Sequence, residues 1–169
     1  VAWANKGFTL ADLGENEKAL EAFNKAIELK PDSYAAWNGK GLSLDKLGKN
    51  EDAIIAYKKA VVIDPNSYGA WTNLGLAYSR LNNQSEAIRA YERALQLQPD
   101  SYETHTNMAL ELTGLGKFQE ALVAVEAAIT LKKDYPQAWN TKGEALELSG
   151  QIEQAIEAYD RTIQIISDE

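Results

Sequence analysis

Apolar positions along this chain fall in short runs with helical spacing, separated by breaks rich in glycine, asparagine and proline. Trp71, Leu74, Gly75 and Tyr78 stand at i, i+3, i+4 and i+7, on one face of a helix. After a break, Ala87, Ile88, Ala90, Tyr91, Ala94, Leu95 and Leu97 are again helically spaced. The break reads LGEN, LGKN, LNNQ, LGKF and LSGQ at its successive occurrences. Gly14, Gly48, Gly116 and Gly150 suit a left-handed helix C-terminus, and Asn82 takes the place once, asparagine being the next most tolerant residue there. A second kind of break follows Pro31, Pro65 and Pro99, each trailed by Asp-Ser or Asn-Ser. Proline cannot continue a helix, and Asp, Asn or Ser caps the next one. The pattern predicts helix, tight turn, helix, short turn, repeated to give ten helices and no strand.

The pattern recurs in register. WANKG at 3–7, WNGKG at 37–41, WTNLG at 71–75 and WNTKG at 139–143 stand at multiples of 34 residues, with His105 filling the remaining slot. Ala19, Ala53, Ala87, Ala121 and Ala155 keep the same step. A period between 20 and 50 residues marks an array of one supersecondary unit whose copies bury their apolar faces against each other. The repeats are approximately 1–33, 34–67, 68–101, 102–135 and 136–169, one array over 1–169. Small residues have a mechanical reason: Gly41 and Ala53 let two helices approach, with Trp37 and Tyr57 filling the space beside them.

Trp71, Leu74, Gly75, Tyr78, Ala87, Tyr91 and Pro99 meet the tetratricopeptide motif, Trp-x2-Leu-Gly-x2-Tyr followed by Ala-x3-Phe and Pro, almost in full. The chain resembles the tetratricopeptide repeat family over essentially its whole length. The resemblance implies an all-α fold, an α-solenoid in which antiparallel helix pairs form a right-handed superhelix. Departures cluster late: His105 for Trp, Val125 for the aromatic, Lys133 for Pro and Thr162 for the alanine at 26, 60, 94 and 128.

Charge and composition then narrow the function. Acidic residues outnumber basic ones by 25 to 17, a formal charge of −8, which argues against nucleic acid and is compatible with a basic partner. No apolar run approaches 18 residues, so no membrane span is expected. Cysteine is absent, which removes disulfides and thiol chemistry. His105 reads as a core substitute for tryptophan, and no His/Cys cluster has metal-ligand spacing. Gly39-Lys40-Gly41 lies within a helix and lacks the third glycine of a nucleotide loop. Glu144 and Glu147 read as a solvated helix pair, and Asn83-Gln84-Ser85 as a glycosylation acceptor with no sign of secretion. The expectation is a non-enzyme without cofactor or metal, and a cytoplasmic location.

The resemblance implies a partner site, because family members commonly hold an extended peptide along a concave face of first helices. Two residues after each Trp slot come Asn5, Gly39, Asn73, Asn107 and Thr141; five after come Phe8, Leu42, Leu76, Leu110 and Glu144. A side-chain amide offers both a donor and an acceptor, so it can pair with both polar groups of a peptide backbone. The row resembles the asparagine ladder of the repeat domains of O-linked N-acetylglucosamine transferases and kinesin light chains, broken here at Gly39 and Thr141. Asn38, beside the first break, is counted with the groove. Phe8, Leu42, Leu76 and Leu110 either greet a partner's apolar side chains or are covered by the adjacent unit. The family's other mode, a lysine-and-asparagine clamp on a terminal carboxylate, is met in no unit.

A second surface competes. Ile55 and Val62 share an outer face of one second helix, Val123 matches Ile55 two units on, and the last helix carries Ile156, Ile163, Ile165 and Ile166 with no helix after it. Terminal repeats normally carry a polar cap. Ile55, Val62, Val123, Ile163 and Ile166 are therefore candidates for self-association. With Val1 in place of Met and little lead-in before Trp3, the chain reads as a piece of a longer protein. The functional expectation is a protein-interaction scaffold binding an extended peptide; the alternatives are a self-associating array and the regulatory repeat region of a larger enzyme such as a kinase or glycosyl transferase.

Overall fold

A computed structural model describes residues Val1–Asp168, which form ten α-helices and, among the described residues, no strand: α1 (Ala2–Asp12), α2 (Asn16–Leu29), α3 (Tyr34–Lys46), α4 (Asn50–Ile63), α5 (Tyr68–Arg80), α6 (Gln84–Leu97), α7 (Tyr102–Gly114), α8 (Phe118–Leu131), α9 (Pro136–Leu148) and α10 (Ile152–Ser167). Odd-numbered helices are the first helices of the five repeats, even-numbered ones the second.

The turns form as the sequence predicts. Asn82 (φ +56°) and Gly48 (φ +72°) both sit in the left-handed region that ends a helix. At the latter, Gly48 N–H donates to the Asp45 carbonyl (3.0 Å) and Lys49 N–H to that of Leu44 (2.9 Å), closing orphan carbonyls of α3. Of the predicted cap residues the serines do the capping. Ser33, Ser67 and Ser101 accept from the backbone N–H of Ala36, Ala70 and Thr104 at 3.4, 3.2 and 3.2 Å. α9 instead starts on Pro136, whose missing N–H costs nothing at that position.

The chain divides into two compact units, Val1–Asn83 and the part from Gln84 onward. In the first, α1 to α5 pack in sequence, and the first helices α1, α3 and α5 also lie side by side. In the second, α6 to α10 pack in sequence and α7 lies beside α9. The cores consist of the small and aromatic slots: Ala4, Ala19, Phe23, Ala26 and Ala36 in the first unit, and Ala109, Ala121, Val125 and Ala128 among others in the second.

The Tyr57 ring lies nearest to Gly41, so close that a Cβ on Gly41 would lie 2.5 Å from Cε1. Trp37 is only half-buried and works elsewhere: its indole N–H donates to the Pro31 carbonyl at 2.8 Å. Trp71 and Trp139 repeat the bond, to Pro65 (2.9 Å) and Lys133 (2.8 Å). His105 keeps it too, with Nε2 2.9 Å from the Pro99 carbonyl, so that ring carries its proton on Nε2. The Trp slot is thus a donor slot as well as an apolar one, which explains why histidine serves there.

Candidate functional site

The groove row behaves differently in the two units. In the first, Asn5 on α1 is exposed, whereas Gly39 is buried because the Phe23 ring lies over it; a Cβ there would approach Phe23 Cζ to 2.4 Å. The amide series continues one position earlier. Asn38 on α3 and Asn73 on α5 meet at 3.5 Å, Asn73 Nδ2 donating to Asn38 Oδ1. Phe8, Leu42 and Leu76 are half-buried, and Phe8 meets Phe23 edge-on with centroids 5.0 Å apart. All three are thus partly covered within the fold, Phe8 by a ring of its own repeat.

In the second unit, α7, α9 and α10 enclose a hollow of about 440 Å³, within the range of ligand clefts. It gathers Asn107 and Leu110 from α7, Thr141 and Glu144 from α9, and Ile166 from α10. Ile166, a candidate for self-association in the sequence, lines the same hollow as four of the expected groove residues. Thr141 is only 5% exposed, so it forms part of the floor and not an open surface. Leu110 (46%) and Ile166 (58%) form solvent-facing walls. Tyr135, Pro136, Gln137 and Asn140 complete the lining beside Thr106 and Thr162, none of them among the groove residues expected from the sequence. Asn140 is one position off the expected row, as Asn38 is, and its Nδ2 donates to Glu144 Oε1 at 2.7 Å.

The outer faces carry hollows of their own. One of about 360 Å³ lies between α2, α3 and α4, with Trp37, Lys40 and Ile55 in its lining. Its counterpart two repeats on, of about 300 Å³, has His105, Met108 and Val123 in the same places. Ile55, Val62 and Val123 are exposed at 58, 75 and 74%, and Ile163 is exposed as well, while Ile165 turns inward and is buried. Among the described residues no group of three or more His, Cys, Asp or Glu side chains could hold a metal ion, and no helix is long and apolar enough to cross a membrane.

The electrostatics are those of packing. Burial pushes the Tyr57 phenol well above its ordinary range, and the Asp45 carboxylate, which accepts from its hydroxyl at 3.3 Å, adds to the rise. Arg80 from α5 holds the same Asp45 oxygen at 2.8 Å, tying three helices of the first unit at one carboxylate. Tyr159 is raised to about 12 by burial, then by its 2.7 Å bond to Glu147 and by the charges of Glu147 and Glu144.

Comparison with known proteins agrees with this architecture. Two models of the tetratricopeptide repeat match, one over residues 6–68 and 106–169 and the other over residues 68–101. No curated protein sequence matches significantly. A crystal structure of MamA is 25% identical, covers 96% of this chain and 95% of its own, and superposes with a TM-score of 0.91. YrrB, described as a tetratricopeptide repeat protein with an unusual peptide-binding site, is 23% identical over 100% of this chain and 87% of its own, with a TM-score of 0.90. MamA from Desulfovibrio magneticus RS-1 reaches a TM-score of 0.94 at 15% identity, covering 99% and 95% of the two chains, a likeness of fold alone.

Proposed function

The chain belongs to the tetratricopeptide repeat family, an all-α solenoid class typical of protein–protein interaction scaffolds, and from that premise we propose that it is a non-enzymatic module holding an extended segment of a partner protein along its first helices. The observation that carries this reading is the hollow of the second unit, where Asn107 and Asn140 stand among Leu110, Pro136 and Ile166. An extended peptide offers unpaired backbone N–H and C=O groups at every residue. Side-chain amides answer both, and the apolar walls take alternate side chains. Asn5, Asn38 and Asn73 extend the same chemistry over the first unit. YrrB, with its peptide-binding site, is the neighbour that supports the mode.

The test uses peptides selected from a random phage-displayed library on the intact chain. Their affinity is measured by calorimetry against wild type and against Asn5→Ala, Asn73→Ala, Asn107→Ala combined. Loss of two or three backbone bonds weakens binding by about 1–3 kcal/mol, each net hydrogen bond contributing roughly 0.5–1.5. Selected peptides that bind both proteins alike would sink the proposal.

A second reading, self-association through the outer face, is favoured by the exposure of both Ile55 and Val62 on α4. Light scattering at high concentration decides it: an association that Val62→Lys abolishes supports it, and a strict monomer removes it.

A further inference from the structure

We infer that the hollow of the second unit anchors a lysine or arginine side chain of the bound segment; this rests on the peptide reading above. Among the described residues lining the hollow only Glu144 is charged. The equivalent place in the four earlier repeats is Phe8, Leu42, Leu76 and Leu110, so a carboxylate here replaces an apolar group. Asn140 holds Glu144 Oε1 at 2.7 Å, and among the described residues Oε2 accepts no hydrogen bond.

Three cations on the neighbouring elements are committed elsewhere. Lys142, two positions earlier on α9, pairs with Glu126 at 2.5 Å. Arg161 reaches Asp134 at 3.4 Å and Gln164 at 2.8 Å. Lys132 donates to the Tyr102 hydroxyl at 3.2 Å and lies over its ring. A half-buried carboxylate that the chain fixes but does not neutralise is complementary to a cation from outside. The walls set which kind. Leu110, Pro136 and Ile166 offer apolar surface to a methylene stem, while the charged head goes to Glu144, the division that long basic side chains make between their two parts. A chain of formal charge −8 would also attract a basic segment at long range.

The test pans a random peptide library on the intact wild-type chain, on Glu144→Gln, which keeps the Asn140 contact, and on Glu144→Lys. Selected peptides are then measured by fluorescence anisotropy beside versions with the basic residue changed to norleucine. The expected result is enrichment of Lys or Arg at one position on wild type alone, the enriched residue deciding between them. Norleucine should bind roughly tenfold more weakly to wild type and equally well to Glu144→Gln, since a charge-assisted bond has been lost in both. Peptides that need Leu110 (no binding to Leu110→Asp) but ignore Glu144→Gln would overturn the anchor and leave the peptide reading standing. If no peptide responds to Leu110→Asp, both fall. A dimer dispersed by Ile166→Asp would overturn the anchor by giving the hollow to a second copy. Circular dichroism confirms that each variant keeps its helices.

Discussion

The indole N–H of Trp71 donates to the carbonyl oxygen of Pro65 at 2.9 Å, and His105 makes the equivalent bond to Pro99 at the same distance. Residues that differ in size and polarity therefore share one directional contact. Trp71→Phe keeps an aromatic ring in the slot and deletes the donor. It should cost about 0.5–1.5 kcal/mol in urea denaturation, and His105→Phe should cost a similar amount while His105→Trp does not.

Gly41 is set by the ring of Tyr57. Gly41→Ala gains helix propensity of up to about 1 kcal/mol, but its Cβ would stand 2.5 Å from Tyr57 Cε1. Overpacking costs roughly 1–3 kcal/mol, so the net effect is a loss. Gly69→Ala is the control, because nothing lies within 4 Å of a Cβ there and propensity alone should stabilise. The fourth repeat shows the compensated pair, Ala109 with Val125, both fully buried. Adding Tyr57→Val to Gly41→Ala should accordingly be less harmful than the sum of the single changes, measured as a double-mutant cycle.

Asn82 carries φ +56° without the freedom of glycine. Asn82→Gly should leave stability unchanged or raise it by a few tenths of a kcal/mol, while Asn82→Ala should cost about 1 kcal/mol, the order of the left-handed penalty for a residue with a Cβ. Thermal melts of the two variants separate these outcomes in sign.

Tyr159, raised to about 12 from an ordinary value of 10.0, makes stability depend on alkali. Below the unfolded value both states hold the proton and nothing changes. As pH rises from there through the folded value, the unfolded chain ionises first and stability is lost. Tyr57, also raised, acts in the same direction. Denaturation midpoints should fall from about pH 10 upward, and Tyr159→Phe should flatten part of that fall.

The fold was legible because its determinants are local and repeated: turn residues at Gly48 and Asn82, caps at Ser33, Ser67 and Ser101, and small slots at Gly41 and Ala53. The site was legible only as a stripe. Equal spacing suggests that residue two of each helix meets residue two of the next, but Asn38 and Asn73 pair with a one-residue offset, which depends on how helices lean on one another. Gly39 left the row because of Phe23, a residue of another helix. Ile166 joined the hollow because α10 packs beside α9, a tertiary fact that no period encodes. The Trp donor escaped notice because its acceptor is a backbone carbonyl, and every residue has one.

The Trp-slot bonds span the proline turn, each pinning a carbonyl of the turn that follows one repeat's second helix to the first helix of the next repeat. The written repeat and the mechanical one are consequently out of phase. Cutting or grafting at Pro31, Pro65 or Pro99, where the text suggests a seam, severs a latch, whereas cutting at the glycine or asparagine turn severs none of these bonds. The chain divides into its two compact units at such a turn, after Asn83. For anyone lengthening, shortening or shuffling the array, the transferable cassette runs from one tight turn to the next.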